Sequence, residues 1–112
     1  MAVMDDSAKA ISMYAKNPAD LIYLVGDTYD ELGGSIYLAG KGLIGNSVPK
    51  VNVRQGKKIM DTLAKANEFG LIRACHDCSE GGLGVSLAEM AFSGGLGMDI
   101  DFSKITLRLG SG

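Results

Sequence analysis

The sequence predicts an α+β fold in which helices pack on a mixed β-sheet. Short apolar runs at residues 21–26 and 71–75 are rich in strand-forming side chains and too short for helices. Longer segments at residues 53–69 and 82–92 carry apolar side chains at helical spacing. Because both kinds of segment occur in one short chain, the sequence indicates the α+β class.

The size, composition and charge of the chain narrow the functions it can have. Its 112 residues make one domain at most, and 46% hydrophobic with 21% charged residues is an ordinary soluble composition. The net charge of −2 gives no electrostatic reason to expect nucleic acid or a membrane as a partner. No apolar run approaches the ~20 residues of a membrane span, and the N-terminus lacks the pattern of a signal peptide.

The first quarter of the chain is predicted to form strand, turn and strand. Residues 10–14 suit a strand, although Ala8, Ile11 and Ala15 would equally share one face of a helix. A turn is expected at residues 17–20, because Pro18 biases the residue before it away from helical backbone. Residues 21–26 are then expected to form a central, buried strand.

The rest of the chain is predicted from caps and periodicity. Asn52 is placed to cap the helix at residues 53–69, and Gly70 is placed to end it. Residues 36–38 continue as a short helix, and residues 96–102 alternate like a strand. A further short strand is expected around residues 105–109. Residues 110–112 resemble a linker or cloning remnant, which leaves residues 1–109 as the folded part.

A turn at residues 76–82, which we call the second corner, joins the predicted strand at 71–75 to a helix. Gly81 and Gly82 let backbone N–H groups point outward at the positive end of the helix dipole, which suits a phosphate group. Ser79 either donates to that phosphate or only caps the helix. No Lys or Arg stands in the turn to neutralise an anion, so the residues alone leave both interpretations open.

Gly33, Gly34 and Ser35, which we call the first corner, repeat the combination of paired glycines and a hydroxyl group. This loop either faces the same ligand as the second corner or is a flexible surface loop. Taken alone, these residue types favour the surface loop.

The helix at residues 82–92 is apolar nearly all round, apart from a narrow stripe formed by Ser86, Glu89 and Ser93. Such a helix is normally buried on most sides. Because so short a chain has little material to cover it, we expect homo-oligomerisation.

Cys75 and Cys78 flank the single histidine, His76. Two cysteines at this spacing are typical of free thiols in a reducing compartment, which favours a cytoplasmic location. A thiol or metal module is the alternative, but three ligands crowded into four positions lack the second pair that a zinc site needs.

Three sequence motifs resemble those of one family. They are the segment from Asp20 to Ser35, Gly45-Asn-Ser-Val-Pro-Lys50, and the segment from Ala74 to Met90 with its core His76-Asp-Cys-Ser-Glu-Gly-Gly-Leu83. In this order they resemble phosphoribosylformylglycinamidine synthase, in its second C-terminal domain of the aminoimidazole ribonucleotide synthetase type. Ser-Glu after His-Asp-x separates the chain from the hydrogenase-maturation relative, whose pattern is His-Asp-Pro-Thr-Arg-Gly-Gly.

The resemblance implies an ATP-dependent C–N ligase of purine biosynthesis. Such an enzyme activates the formamide oxygen of formylglycinamide ribonucleotide and adds ammonia supplied by a glutaminase subunit. In the family, ATP, magnesium and the catalytic histidine belong mainly to N-terminal-type domains, which this sequence does not contain. The chain is therefore expected to hold no cofactor or metal of its own, to contribute no catalytic residue, and to be inactive alone.

The same resemblance also implies which residues of this chain contact the substrate. Gly33, Gly34 and Ser35, and likewise Ser79, Gly81 and Gly82, are expected to contact the phosphorylated ribonucleotide substrate. His76 and Asp77 are expected to shape the loop and to touch the ligand.

The family's domain continues beyond residues 97–102 with further strands and helix, so we expect a partial, truncated domain that works beside the remaining synthetase domains. Two alternatives stay open. One is a self-associating structural fragment without catalytic activity, and the other is the equivalent domain of another member of the superfamily.

Overall fold

The computed structural model describes residues 3–105 and 107–108. Three α-helices account for most of the regular structure in this part of the chain, and a pair of very short strands joins two segments that are distant in the sequence. The elements are a 3-10 turn at Ser7–Lys9, β1 at Thr28–Tyr29, α1 at Ile36–Ala39, α2 at Val53–Glu68, α3 at Gly82–Gly94, a 3-10 turn at Phe102–Lys104 and β2 at Leu107–Arg108.

The two strands pair in parallel, with Thr28 opposite Leu107 and Tyr29 opposite Arg108. The carboxylate of Asp27 ties this pair to α2, because it accepts hydrogen bonds from Arg108 Nε at 2.8 Å and from Gln55 Nε2 at 2.9 Å. The bond from Gln55, followed by the guanidinium of Arg108, lowers the pKa of Asp27 below its ordinary value. One acidic side chain therefore joins three elements that are distant in the sequence.

The predicted helices are confirmed, with small differences at their ends. Asn52 caps α2, since its Oδ1 accepts a hydrogen bond from the backbone N of Gln55 at 3.0 Å. Gly70 follows the helix in the left-handed conformation, with φ of 66°. The short helix predicted at 36–38 is α1, and the apolar helix predicted at 82–92 runs two residues further as α3.

The multi-stranded mixed sheet is not formed by the described residues. Residues 21–26 were expected to be a buried central strand, yet they form no ladder and their side chains are exposed. The strands predicted at residues 10–14 and 71–75 are reduced to one parallel bridge between Ser12 and Ala74. Residues 96–101 form no strand, and β2 is the described part of the strand predicted at 105–109. The tail predicted at 110–112 lies outside the described residues.

The N-terminal segment positions α3 against the rest of the chain. The backbone O of Ser12 accepts a hydrogen bond from Cys75 N at 3.3 Å, and Ala15 N donates to Met90 O at 3.0 Å. At the other end of the segment, Asn67 Nδ2 donates to the backbone O of Lys9 at 3.0 Å. Residues 9–15 therefore connect the end of α2, the segment before the second corner, and α3.

The described part of the chain leaves α3 largely uncovered, as the sequence indicated for so short a chain. Only Ser86 and Leu87 of the helix are buried, and Phe92 is 71% exposed. The accessible surface is 9226 Å², whereas a folded globular monomer of this mass exposes about 5,900 Å². The described residues do not supply the elements that would cover the helix. Among them, no helix combines the length and apolar character needed to cross a membrane.

Candidate functional site

The second corner ends in two left-handed glycines. Gly81 has φ of 81° and Gly82 has φ of 67°, a conformation that other residues adopt only with strain. A side chain at Gly81 would collide with Val85, whereas a side chain at Gly82 would meet no atom within 4 Å. The chain can therefore turn sharply into α3 only because of this glycine pair.

The first turn of α3 contains backbone N–H groups that have no hydrogen-bond partner among the described residues. The helix has no side-chain cap, so the alternative in which Ser79 serves only as a cap is wrong. Gly82 N donates to the backbone O of Ser79 at 3.1 Å, but no acceptor among the described residues faces the N–H groups of Leu83 and Gly84. Ser79 itself is exposed. Unpaired N–H groups at a helix N-terminus, beside an exposed hydroxyl group, are the elements of an anion site.

The side chain of His76 connects the second corner to the middle of α3. Its Nε2 lies 2.6 Å from Glu89 Oε2 and its Nδ1 lies 3.4 Å from Asp77 Oδ1, and the imidazole is only 11% exposed. The hydrogen bond with Glu89 is the main reason why the pKa of His76 is raised above 6.5, although partial burial opposes the shift. His76 thus joins the second corner to α3, while the side chain of Asp77 is largely exposed.

Ser86 provides a second connection, which the sequence did not single out. Its hydroxyl oxygen lies 3.1 Å from the carbonyl oxygens of both Asp77 and Gly82, so it can donate to either. Ser86 and Glu89 belong to the polar stripe on the otherwise apolar helix, which was the sequence signal for this role. Ser86 and Glu89 contact the corner and hold it, while Ser93 at the other end of the stripe is exposed.

The first corner has a different hydrogen-bond pattern. Gly33 N donates to Ser47 O at 2.6 Å, and Gly34 N donates to Ile44 O at 2.7 Å. The hydroxyl of Ser35 caps α1 by accepting from Leu38 N at 3.2 Å. The N–H groups of Gly33 and Gly34 are therefore already paired within the chain. The expectation that Gly33, Gly34 and Ser35 contact the substrate stays a prediction. No hydrogen bond within the described residues joins the two corners.

The thiols of Cys75 and Cys78 are free and both residues are exposed. Within the described residues no group of three or more His, Cys, Asp and Glu side chains is arranged to hold a metal ion. The structure gives the thiol or metal module no support.

Comparison with known proteins identifies relatives of the chain. Residues 17–110 match the family model described as AIR synthase related protein, C-terminal domain. The chain is 36% identical over 105 residues to phosphoribosylformylglycinamidine synthase subunit PurL of Moorella thermoacetica, covering 93% of this chain and 14% of the relative. It is 44% identical over 100 residues to the subunit of the same name from Carboxydothermus hydrogenoformans, covering 87% and 14%.

A third relative is the PurL subunit of Thermococcus gammatolerans, 45% identical over 85 residues, which cover 76% of this chain and 12% of the relative. The chain thus spans about one seventh of the length of these curated relatives. No solved structure matches it. The match over residues 17–110, which contains both glycine corners, shows that the chain belongs to the family of AIR synthase related proteins as their C-terminal domain.

Proposed function

We propose that the chain acts as a C-terminal-type domain of phosphoribosylformylglycinamidine synthase and lines its substrate cleft. Family membership supports this, as does the name shared by three relatives that each cover more than three quarters of the chain. The reaction converts formylglycinamide ribonucleotide to formylglycinamidine ribonucleotide in the cytoplasm, using ATP, magnesium and ammonia from a glutaminase subunit. Those components belong to the other domains and subunits, so this chain alone is inactive.

We assign the substrate phosphate to the second corner. The unpaired backbone N–H groups in the first turn of α3 are the observation that supports this assignment most strongly. The N–H groups of Leu83 and Gly84 point away from any described acceptor, and the hydroxyl of Ser79 is exposed beside them. Gly81 and Gly82 have no side chains that could obstruct a phosphate group. His76 and Asp77 shape the loop. The helix dipole favours negative charge at this end.

The charged residues at the second corner limit its affinity for phosphate. The turn holds no Lys or Arg, and Asp77 and Glu80 are both exposed acidic residues. The imidazole of His76 is already engaged with Glu89. We therefore expect weak, salt-sensitive phosphate binding by the chain alone, with the remaining charge neutralisation supplied by the other synthetase domains.

Amide NMR tests the assignment. Titration with formylglycinamide ribonucleotide should move the signals of residues 79–84, and the dephosphorylated analogue should not. Ser79→Ala should weaken binding several-fold, whereas Ser93→Ala, an exposed serine at the other end of the same helix, should leave it unchanged. Equal shifts with both compounds, or no shift at the corner, would remove the phosphate site.

A ligand-free, self-associating structural fragment is the alternative, and it is favoured by the surface of about 3,300 Å² beyond that of a globular monomer. Self-association is compatible with a phosphate site, so we include a homo-oligomer in the proposed function. The titration separates the two possibilities, because a purely structural fragment shows no phosphate-dependent shift in any oligomeric state.

A further inference from the structure

One side of α2 concentrates positive charge, and we call it the basic face. It holds four of the 11 basic residues of the chain, Arg54, Lys57, Lys58 and Lys65, and all four are exposed. At about 100° per residue they lie within roughly one third of the helix circumference, and they extend along about 16 Å of its axis. Their side chains line a shallow hollow of about 340 Å³ together with Asp61 and Thr62.

Most of the charge on the basic face is not neutralised by the chain. Lys57 Nζ lies 2.7 Å from Asp61 Oδ2, one helical turn further on. Among the described residues, no carboxylate forms an ion pair with Arg54, Lys58 or Lys65. Three positive charges on one side of the helix are therefore left for an external partner.

This charge arrangement is unfavourable for the helix itself. The N-terminal end of the helix dipole favours acidic side chains, yet the first turn of α2 contains none and Arg54 is its second residue. Arg54 also has like-charged neighbours at Lys57 and Lys58, three and four residues later, which is destabilising. A solvated helix face normally alternates the sign of its charges at these spacings. Such a conflict between a sequence and its own helix is typical of functional surfaces.

The shape and pattern of the basic face favour a polypeptide as the partner. A single small anion cannot span the distance from Arg54 to Lys65, so the partner is extended. Nucleic acid is negative along its whole length, whereas Asp61 interrupts the basic face and the chain as a whole carries −2. A polypeptide can place carboxylates opposite the three unpaired cations and a neutral group opposite the Lys57–Asp61 pair. The curated relatives are about seven times longer than the chain, so in them further polypeptide accompanies a domain of this kind.

We infer that the basic face of α2 binds an acidic segment of a neighbouring polypeptide. Two of its carboxylates face Arg54 and Lys58, which are one helical turn apart, and a third faces Lys65, about two turns further along. Complementary charges of this kind determine which partner binds and in which register. The surface goes beyond the proposed function, because it lies on α2 and uses no residue of the second corner.

The test compares two lysines replaced by glutamate. Lys58 and Lys104 are both exposed, and neither forms an ion pair among the described residues, but only Lys58 belongs to the basic face. Fluorescence anisotropy of a labelled oligoglutamate peptide should show saturable binding to the full chain. Lys58→Glu should weaken that binding at least tenfold, and Lys104→Glu should change it less than twofold. Circular dichroism should show the same helix content in both variants.

Arg54→Glu provides the second measurement. It should weaken peptide binding like Lys58→Glu and yet raise the midpoint of urea unfolding, because it replaces a cation by an anion at the N-terminal end of α2. No saturable binding, equal weakening by Lys58→Glu and Lys104→Glu, or a lower midpoint for Arg54→Glu would overturn the inference. Tighter binding of a single-stranded oligonucleotide of equal charge would overturn it as well. None of these results bears on the phosphate titration of residues 79–84.

Discussion

The two glycine corners have similar sequences and different structures. Each contains paired glycines next to a hydroxyl residue, yet the donors at Gly33 and Gly34 are bonded to carbonyl oxygens, while those of Leu83 and Gly84 meet no described acceptor. The segment after each corner causes the difference. Residues 40–47 fold back onto the first corner and supply carbonyl groups, whereas a 13-residue helix leads away from the second. The first corner is thus a structural loop closure, and the second is the candidate anion site.

Among the substitutions that distinguish the two corners, Gly33→Ala should have the largest effect on the free energy of unfolding. A side chain at Gly33 would lie 2.7 Å from the backbone of Ser47, which cannot move without breaking the loop closure. We expect a loss of about 2 to 3 kcal/mol in the free energy of unfolding. Urea denaturation measures this, and an unchanged midpoint would show that the close approach at the first corner is not required.

Gly82→Ala should have a smaller effect, through backbone conformation alone. No atom lies within 4 Å of the added side chain, so only its φ of 67° opposes the substitution. We expect a loss of about 1 kcal/mol. The same urea denaturation applies, and a loss as large as that of Gly33→Ala would mean that the second corner is packed as tightly as the first.

The two serines give a matched pair of substitutions. Ser35→Ala removes the cap of α1 and should lower the free energy of unfolding by about 1 kcal/mol. Ser79→Ala removes an exposed hydroxyl that caps no helix and should change it by less than about 0.5 kcal/mol. Thermal unfolding of both variants checks this, and equal losses would contradict the separate roles given to the corners.

The His76–Glu89 pair should make the second corner, and not the first, sensitive to pH. The pKa of His76 is raised from 6.5 in the folded chain, so the protonated form stabilises the fold. This contribution is complete below pH 6.5 and is lost as the pH rises through the raised pKa. Unfolding measured from about pH 6 to about pH 8 should show that loss.

Glu89→Gln is the control for this titration, because it removes the largest cause of the raised pKa while keeping the size of the side chain. The variant should lose most of the pH dependence in this window. If the slope were unchanged, the stabilising charge on His76 would have to come from another group.

The sequence predicted those parts of the fold that depend on local signals. Asn52 and Gly70 each act within one or two turns of their own helix, and their predicted roles are confirmed. The family was also recognisable, because its motifs are short stretches of sequence read in order. For the candidate site, the sequence did not indicate the contact between His76 and Glu89, which lies 13 residues away.

Features that depend on distant neighbours were predicted poorly. The composition of residues 21–26 indicates a strand, but a strand forms only where another lies beside it, and the described residues supply none. Likewise, the apolar character of α3 indicates burial without supplying the covering elements. The occupied amides of Gly33 and Gly34 were equally unpredictable, because Ser47 and Ile44 become acceptors only once the loop has closed.

Amide hydrogen exchange of the two corners, measured with and without inorganic phosphate, tests the central claim most directly. Gly33 and Gly34 should be protected in both conditions. Leu83 and Gly84 should exchange at nearly the rate of an unstructured peptide without phosphate, and more slowly with it. Protection of Leu83 and Gly84 before phosphate is added, or equal slowing at both corners, would contradict the assignment of the anion site to the second corner.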